Sequence, residues 1–232
     1  LNKDAKDLKI AVIKEGFEHA EHSTQEVDNA VREAAKELER LGAQVDDISI
    51  PYHRKAIPMW NSIAIEGGTN NLYHGGHAYQ NKGLYNPRFI VHLMRAIKSN
   101  GSDFSPTAKM GILVGQYMRE QYQGAFYARA QNMARVLSNE YDKVLNHYDI
   151  LLMPTTPQQA HAQIPSVETD RKTYIQNALN MVQNTAPFNI TGHPSISVPC
   201  KSTLGLPIGL MLTGRWMDDA TVLRAANAYL EN

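Results

Sequence analysis

The stretch Thr185 to Cys200, TAPFNITGHPSISVPC, places a histidine, two serines and the chain's single cysteine within a few residues of one another. A serine or cysteine within hydrogen-bond reach of an imidazole is a nucleophile with its base, the arrangement used for acyl transfer. No sequence pattern sets a base beside Cys200, and a small thiol at the end of a strand is most often buried and inert. Ser195 and Ser197 alternate with Ile196 and Val198, so both hydroxyls share one face of a strand. There they either line a cleft or satisfy nearby backbone groups. The Gly-x-Ser-x-Gly elbow of the α/β-hydrolases is absent, which removes the simplest serine-hydrolase reading.

Other polar groups invite chemistry and lose it on inspection. His74 and His77 in YHGGHAY have a spacing that suits a metal on a helix turn, but two intervening glycines argue against a rigid helix and no third ligand stands near. His19 and His22 lie beside Glu18 and Glu21 after the first strand, where a dinucleotide fold carries its glycine loop. Only Gly16 is present, so nicotinamide and flavin binding have no fingerprint to rest on. Gly101-Ser102 reads as a polar turn. No cofactor and no metal are expected.

The elements that must position these residues are legible in outline. LKIAVI (8–13) and QVDDISI (44–50) read as strands. Between them Ser23 and Glu26 form a capping-box pattern, Val27, Ala30, Val31, Ala34, Leu38 and Leu41 recur at helical spacing, and Gly42 stops the helix. Strand, helix, strand over this length predicts a βαβ unit with parallel strands. Helical segments follow over 58–73, 87–99 and 106–117, punctuated by glycines. A longer helix is predicted from Met118 to His147, with a bend near Gly124. DILLM (149–153) reads as a buried strand ended by the turn at Pro154 to Pro157. A loop with Pro165 and a helix over 169–184 precede a strand over 195–199, a loop over 201–206 and a strand over 208–213. Asp218 or Asp219 caps a last amphipathic helix through Val222, Leu223, Ala226 and Leu230. The fold class is α/β, a mixed β-sheet covered by helices, in a single domain spanning 1–232.

Composition narrows the partner. The chain has 232 residues, 43% hydrophobic and 20% charged, the proportions of a globular protein. Lys plus Arg equals Asp plus Glu at 23 each, which gives no electrostatic footprint for nucleic acid. No apolar run is long enough for a membrane-spanning helix. One cysteine cannot make an internal disulfide and no signal-peptide pattern is present, so a cytoplasmic setting is expected. The start, LNKDAKDLKI, has no initiator methionine and enters a strand almost at once, as in a chain cut from something longer.

Taken in order, these segments resemble the carboxyl-terminal half of the amidase signature family. DILLMPTTP is similar to that family's strand and Pro-Thr-x-Pro turn, NITGHPSISVP to its Asn-x-Thr-Gly-x-Pro strand entry, and GLPIGLMLTGRWMDDATVLRAANAYLE to its closing strand and helix. The family cleaves amide C–N bonds with a serine nucleophile, a second serine in a cis peptide and a lysine base, all of which precede the equivalent of Leu8. No Gly-Gly-Ser-Ser run is present here, so no catalytic residue is carried over. The resemblance implies the non-catalytic half of an amidase for small carboxylic amides, inactive alone, whose partner is the missing amino-terminal catalytic half. In broad-specificity members the segment resembling MWNSIAIEGG supplies a pocket tryptophan, here Trp60, and the segment before Asn-Thr-Ala-Pro an aliphatic wall, here near Val182. Core packing is the rival role for Trp60. The amidase subunit of a glutamine-dependent tRNA amidotransferase is the alternative function, and a non-catalytic α/β binding module is the alternative of another class. Part of a larger sheet is expected to expose apolar surface and to associate, a homodimer being one outcome.

Overall fold

A computed structural model describes residues 5–20, 22–73, 83–164, 170–200 and 205–232. His74, His77 and Pro165 lie outside the described residues. The chain forms two compact units, one from Leu1–Ile57, Met133–Gln163 and Leu179–Asn232, the other from Pro58–Asn132 and Ile164–Ala178.

The first unit is built on a five-stranded sheet in the order β2-β1-β3-β5-β4. Its strands are β1 (Lys9–Ile13), β2 (Gln44–Ile48), β3 (Ile150–Pro154), β4 (Ser195–Pro199) and β5 (Gly209–Thr213). β1 runs parallel to β2 and to β3, whereas β5 is antiparallel to both β3 and β4. The sheet is therefore mixed and flanked by helices, as the sequence predicts. Every residue of β3 is buried, because the central strand is covered on both faces and so has no polar alternation.

Register divides the sheet's faces. Ile10 and Val12 share one face with Leu152, Leu212, Ile196 and Val198. Helices α1 (Gln25–Arg40) and α8 (Asp219–Leu230) pack there through Val27, Val31, Ala34 and Leu38 and through Val222, Ala225 and Ala226, all buried. The opposite face carries Leu151, Met153, Met211 and Thr213, and at its β4 end Ser195 and Ser197. Buried Tyr141 and Phe188, from α5 (Ala125–Leu145) and α7 (Thr185–Thr191), stack at 4.9 Å.

Three local expectations are corrected. The capping box does not form: Thr24 is the residue before α1 and its side chain makes no capping bond, because the Ser23 hydroxyl instead accepts the His19 N–H at 2.9 Å. Asp218, by contrast, does cap α8, accepting from the Thr221 N–H at 3.3 Å. Leu223 and Leu230 are exposed on α8 rather than turned to the core, so its apolar face is narrower than its sequence suggests. Asn189 to Thr191 form the end of α7 rather than a strand entry, and Gly192 closes that helix at φ 77°. The glycine is needed there, since a Cβ would be strained and would lie 3.2 Å from the Trp216 Nε1.

The second unit is helical. It contains most of α2 (Ala56–Tyr73), then α3 (Pro87–Asn100), α4 (Pro106–Tyr122), the start of α5, and all but the last residue of α6 (Arg171–Leu179). Asn86 and Ser105 cap α3 and α4, accepting from the N–H groups of Phe89 at 3.1 Å and Ala108 at 3.2 Å, with a proline in each first turn. Gly67 and Gly68 do not interrupt α2. Gly115 lets α4 lie directly on α2: a Cβ there would overlap the Thr69 hydroxyl and stand 2.6 Å from the Ile65 carbonyl. The predicted helix from Met118 to His147 is two helices, because Gln123 at φ 52° and Gly124 at φ 82° are both left-handed and end α4 before α5 begins.

Candidate functional site

The hydroxyl face of the sheet opens into a cleft of about 280 Å³ lined by Thr155, Thr185, Phe188, Ser195, Ser197 and Met211, with Asn189, His193 and Ile196 completing it. The alternation that set Ser195 and Ser197 on one face thus does line a cleft. The hydroxyls are paired across strands: Ser197 with Thr155 at 2.6 Å and Ser195 with Thr213 at 2.8 Å. Gly209 makes the first pair fit, since a Cβ at that position would lie 2.6 Å from Thr155 Oγ1 and 2.7 Å from Ser197 Oγ. No lining residue is an aspartate, glutamate, lysine or arginine, so the wall offers neutral donors and acceptors over an apolar floor.

His193 does not serve these serines as a base. Its Nδ1 meets the Thr191 hydroxyl at 2.9 Å and its Nε2 meets Asp142 Oδ1 at 3.2 Å, and its ring is fully buried. Both nitrogens are committed away from Ser195, Ser197 and Cys200. The cysteine is buried, and burial pushes its thiol up to about 11 against an opposing bond with Tyr229. Its thiolate fraction at pH 8 is therefore about 100-fold below that of an ordinary thiol. Alkylation by iodoacetamide, followed by mass spectrometry, should be slower by about the same factor; a rate equal to that of free cysteine would contradict this burial.

Behind the cleft lies a polar network that sequence reasoning missed. Asn184, fully buried just before Thr185, donates from Nδ2 to the carbonyls of Gly16 at 2.9 Å and Pro154 at 2.8 Å. That orientation leaves its Oδ1 to accept from the Nε2–H groups of His53 and His19, each at 3.0 Å. The His53 Nδ1 lone pair then accepts from the Tyr141 hydroxyl at 2.8 Å. Burial holds His53 neutral, lowering its pKa to about 4, and lowers that of His19 in the same sense. Burial also raises the Tyr141 hydroxyl well above its usual range. The network ties the segment that follows β1 and the last residue of β3 to the entry of α7, and so fixes Thr155 and Thr185 as neighbours on the cleft rim. His19, noted in the sequence only for its place after the first strand, is one of its members; no local pattern marks His53, Tyr141 or Asn184 as a buried polar partner.

Trp60 and Val182 belong to different units. Trp60 lies on α2 of the second unit and is half-buried. Val182, also half-buried, belongs to the turn before α7 in the first, where its carbonyl accepts from the Ala186 N–H at 2.8 Å. Among the described residues no group of three or more His, Cys, Asp or Glu side chains could hold a metal ion, and no helix is long and apolar enough to cross a membrane.

Residues 1–223 match the family model described as Amidase. An uncharacterised protein from the nthA 5′ region of Rhodococcus erythropolis is 40% identical over 75% of this chain and 87% of its own length. The enantioselective amidase of Rhodococcus rhodochrous is 38% identical over 94% of this chain but 42% of its own length. Among solved structures, a glutamyl-tRNA(Gln) amidotransferase subunit from Thermotoga maritima superposes with a TM-score of 0.67 at 27% identity, covering 100% of this chain and 44% of that one. The chain thus spans less than half the length of those two larger proteins. With its sheet, its ordered sequence blocks and the family model all in agreement, the chain belongs to the amidase signature family.

Proposed function

We propose that this chain is the carboxyl-terminal portion of an amidase that hydrolyses the C–N bond of small carboxylic amides, water and amide giving carboxylic acid and ammonia. The observation that carries the reading is the family match along nearly the whole chain by a sequence without the Gly-Gly-Ser-Ser stretch that marks the family's catalytic region. The chain supplies scaffold and one wall of the substrate pocket, and the amino-terminal catalytic half is its partner. A wall of neutral hydroxyls backed by Phe188 and Met211 suits an uncharged amide, whose N–H and C=O groups need both donors and acceptors. The setting is cytoplasmic, and neither cofactor, nucleic acid nor membrane takes part. The likeness to an amidotransferase component favours, as a second reading, a parent that releases ammonia from glutamine within a larger assembly.

The isolated chain is expected to release no ammonia from a panel of simple aliphatic and aromatic amides. Sustained turnover by the chain alone, abolished by one substitution within it, would overturn the proposal. In the full-length parent, turnover of simple amides without partner proteins separates the first reading from the second.

A further inference from the structure

Helix α7 is too short to hold itself together. Its seven residues, Thr185–Thr191, fall well below the length at which an isolated helix is stable, so its shape depends on what it is tied to and what it buries. It buries Ala186, Pro187 and Phe188, and it is tied at its entry by the four hydrogen bonds of Asn184. Phe188 lies against the His53 ring, with centroids 6.3 Å apart, as well as against Tyr141. Thr185, Phe188 and Asn189 line the cleft. The helix is thus at once a wall of the cleft and part of the cover over His53.

We propose that α7 is a pH-sensitive flap: the neutral His53 ring holds it closed, and a proton on that ring releases the helix and one wall of the cleft with it. The geometry makes the closed ring a poor host for a proton. Its Nε2–H is given to Asn184 Oδ1, and its Nδ1 lone pair, where a proton must go, is taken by the Tyr141 hydroxyl at 2.8 Å. A proton at Nδ1 would turn that hydroxyl over, leave its hydrogen without an acceptor and place a charge on a fully buried ring. The segment after β1 sets Glu15, which attracts the charge, and His19, which repels it, while Arg54 beside the ring also repels it. Helix α5 presents Tyr141, and the α7 segment presents Asn184 and Phe188, all uncharged. His19 shares the same Asn184 oxygen and faces the charges of Arg54 and His22 against Asp28 alone. The least costly way to admit the proton is to let α7 swing away and wet the ring. Every member of this set belongs to the first unit, and His53 and Asn184 are fully buried by residues of this chain, so the device does not depend on what packs against the outer surface. The flap requires the cleft but not the identity of its ligand, and motion rather than turnover reveals it, so it can fail while the amidase reading stands.

Hydrogen exchange of the full chain, followed by mass spectrometry at pH 7 and pH 5 and corrected for the intrinsic effect of pH on amides, tests the flap. Peptides spanning 182–192 report on α7 through the bonds from Ala186 N–H to Val182 and from Gly192 N–H to Phe188, and peptides of β3 report on the sheet. At both pH values α7 is expected to open more readily than β3. Its opening constant should rise about 20-fold on acidification, because a ring whose pKa is about 4 when closed recovers its ordinary 6.5 when wet. His53→Gln should remove most of that rise. Tyr141→Phe, which withdraws the bond that favours the neutral ring, should reduce it. Equal opening of α7 and β3 at pH 5 would overturn the proposal, since the chain would then be unfolding as a whole. So would the absence of any rise, or a rise left unchanged in whichever of the two variants folds.

Discussion

Replacing Asn184 by alanine is expected to cost about 4 kcal/mol of folding stability, the largest effect of any single polar substitution in the first unit. The side chain is fully buried and makes four hydrogen bonds, two to carbonyls and two from imidazole N–H groups. Truncation strands all four partners. Each deserted buried group costs about 1–3 kcal/mol, reduced where the carbonyls of Gly16 and Pro154 relax towards water. Asn184→Asp should be no milder, because a carboxylate has no hydrogen to give and would face two carbonyl oxygens. Urea unfolding of Asn184→Ala beside Asn189→Ala, an exposed residue of α7, provides the comparison. A difference under about 1 kcal/mol would mean that water replaces the network at little cost.

Acidification from pH 7 to pH 4 is expected to remove up to about 3 kcal/mol through His53 alone. Its pKa falls from 6.5 to about 4 in the folded chain, chiefly because burial disfavours the imidazolium. Between those values the unfolded chain binds a proton that the folded chain refuses. Stability from the neutral ring is thus complete above about pH 6.5 and declines as pH drops towards 4. His19, lowered for the same reason, adds to the decline, while Asp28, whose carboxyl is raised by burial, opposes it. His53→Gln should begin less stable at pH 7 yet lose less on acidification, since the replacement cannot take up a proton. An identical pH slope in the variant would show that another group governs acid unfolding.

How much of this was legible depended on the distance over which each signal acts. The βαβ unit was readable because α1 repeats its apolar residues at one spacing and Gly42 marks its end with φ 101°. The β4–β5 pair was readable because Ser195 to Pro199 alternates within five residues. The break at Gln123 was readable only as a bend near Gly124, since Tyr122 and Phe126 keep the spacing of an unbroken helix and a non-glycine residue takes the first left-handed position. Helix α7 was hidden by Pro187, Ile190 and Thr191, residues that suit extended chain and are overridden by burial of Ala186 and Phe188. The network was least accessible, for His53 and Asn184 are 131 residues apart in the chain and neither sits in a pattern that announces a buried polar partner. The cleft stands between these cases: its two serines were visible together, whereas Thr155 and Met211 reach them only through the strand order.

That strand order also governs when the protein can fold. β3 sits at the centre of the sheet, yet its two neighbours come from opposite ends of the chain: it pairs Ile10 with Ile150 on one side and Leu151 with Thr213 on the other. During synthesis β1 must wait for about 140 further residues before its inner edge is covered, and β4, made earlier than β5, has no place in the sheet until β5 follows. Such long-range pairing delays closure and leaves apolar strand edges open on the nascent chain. A chain released before Gly209 would hold β3 and β4 with no strand between them, so the last two dozen residues, Met211 of the cleft wall among them, decide whether β4 and its two serines join the sheet.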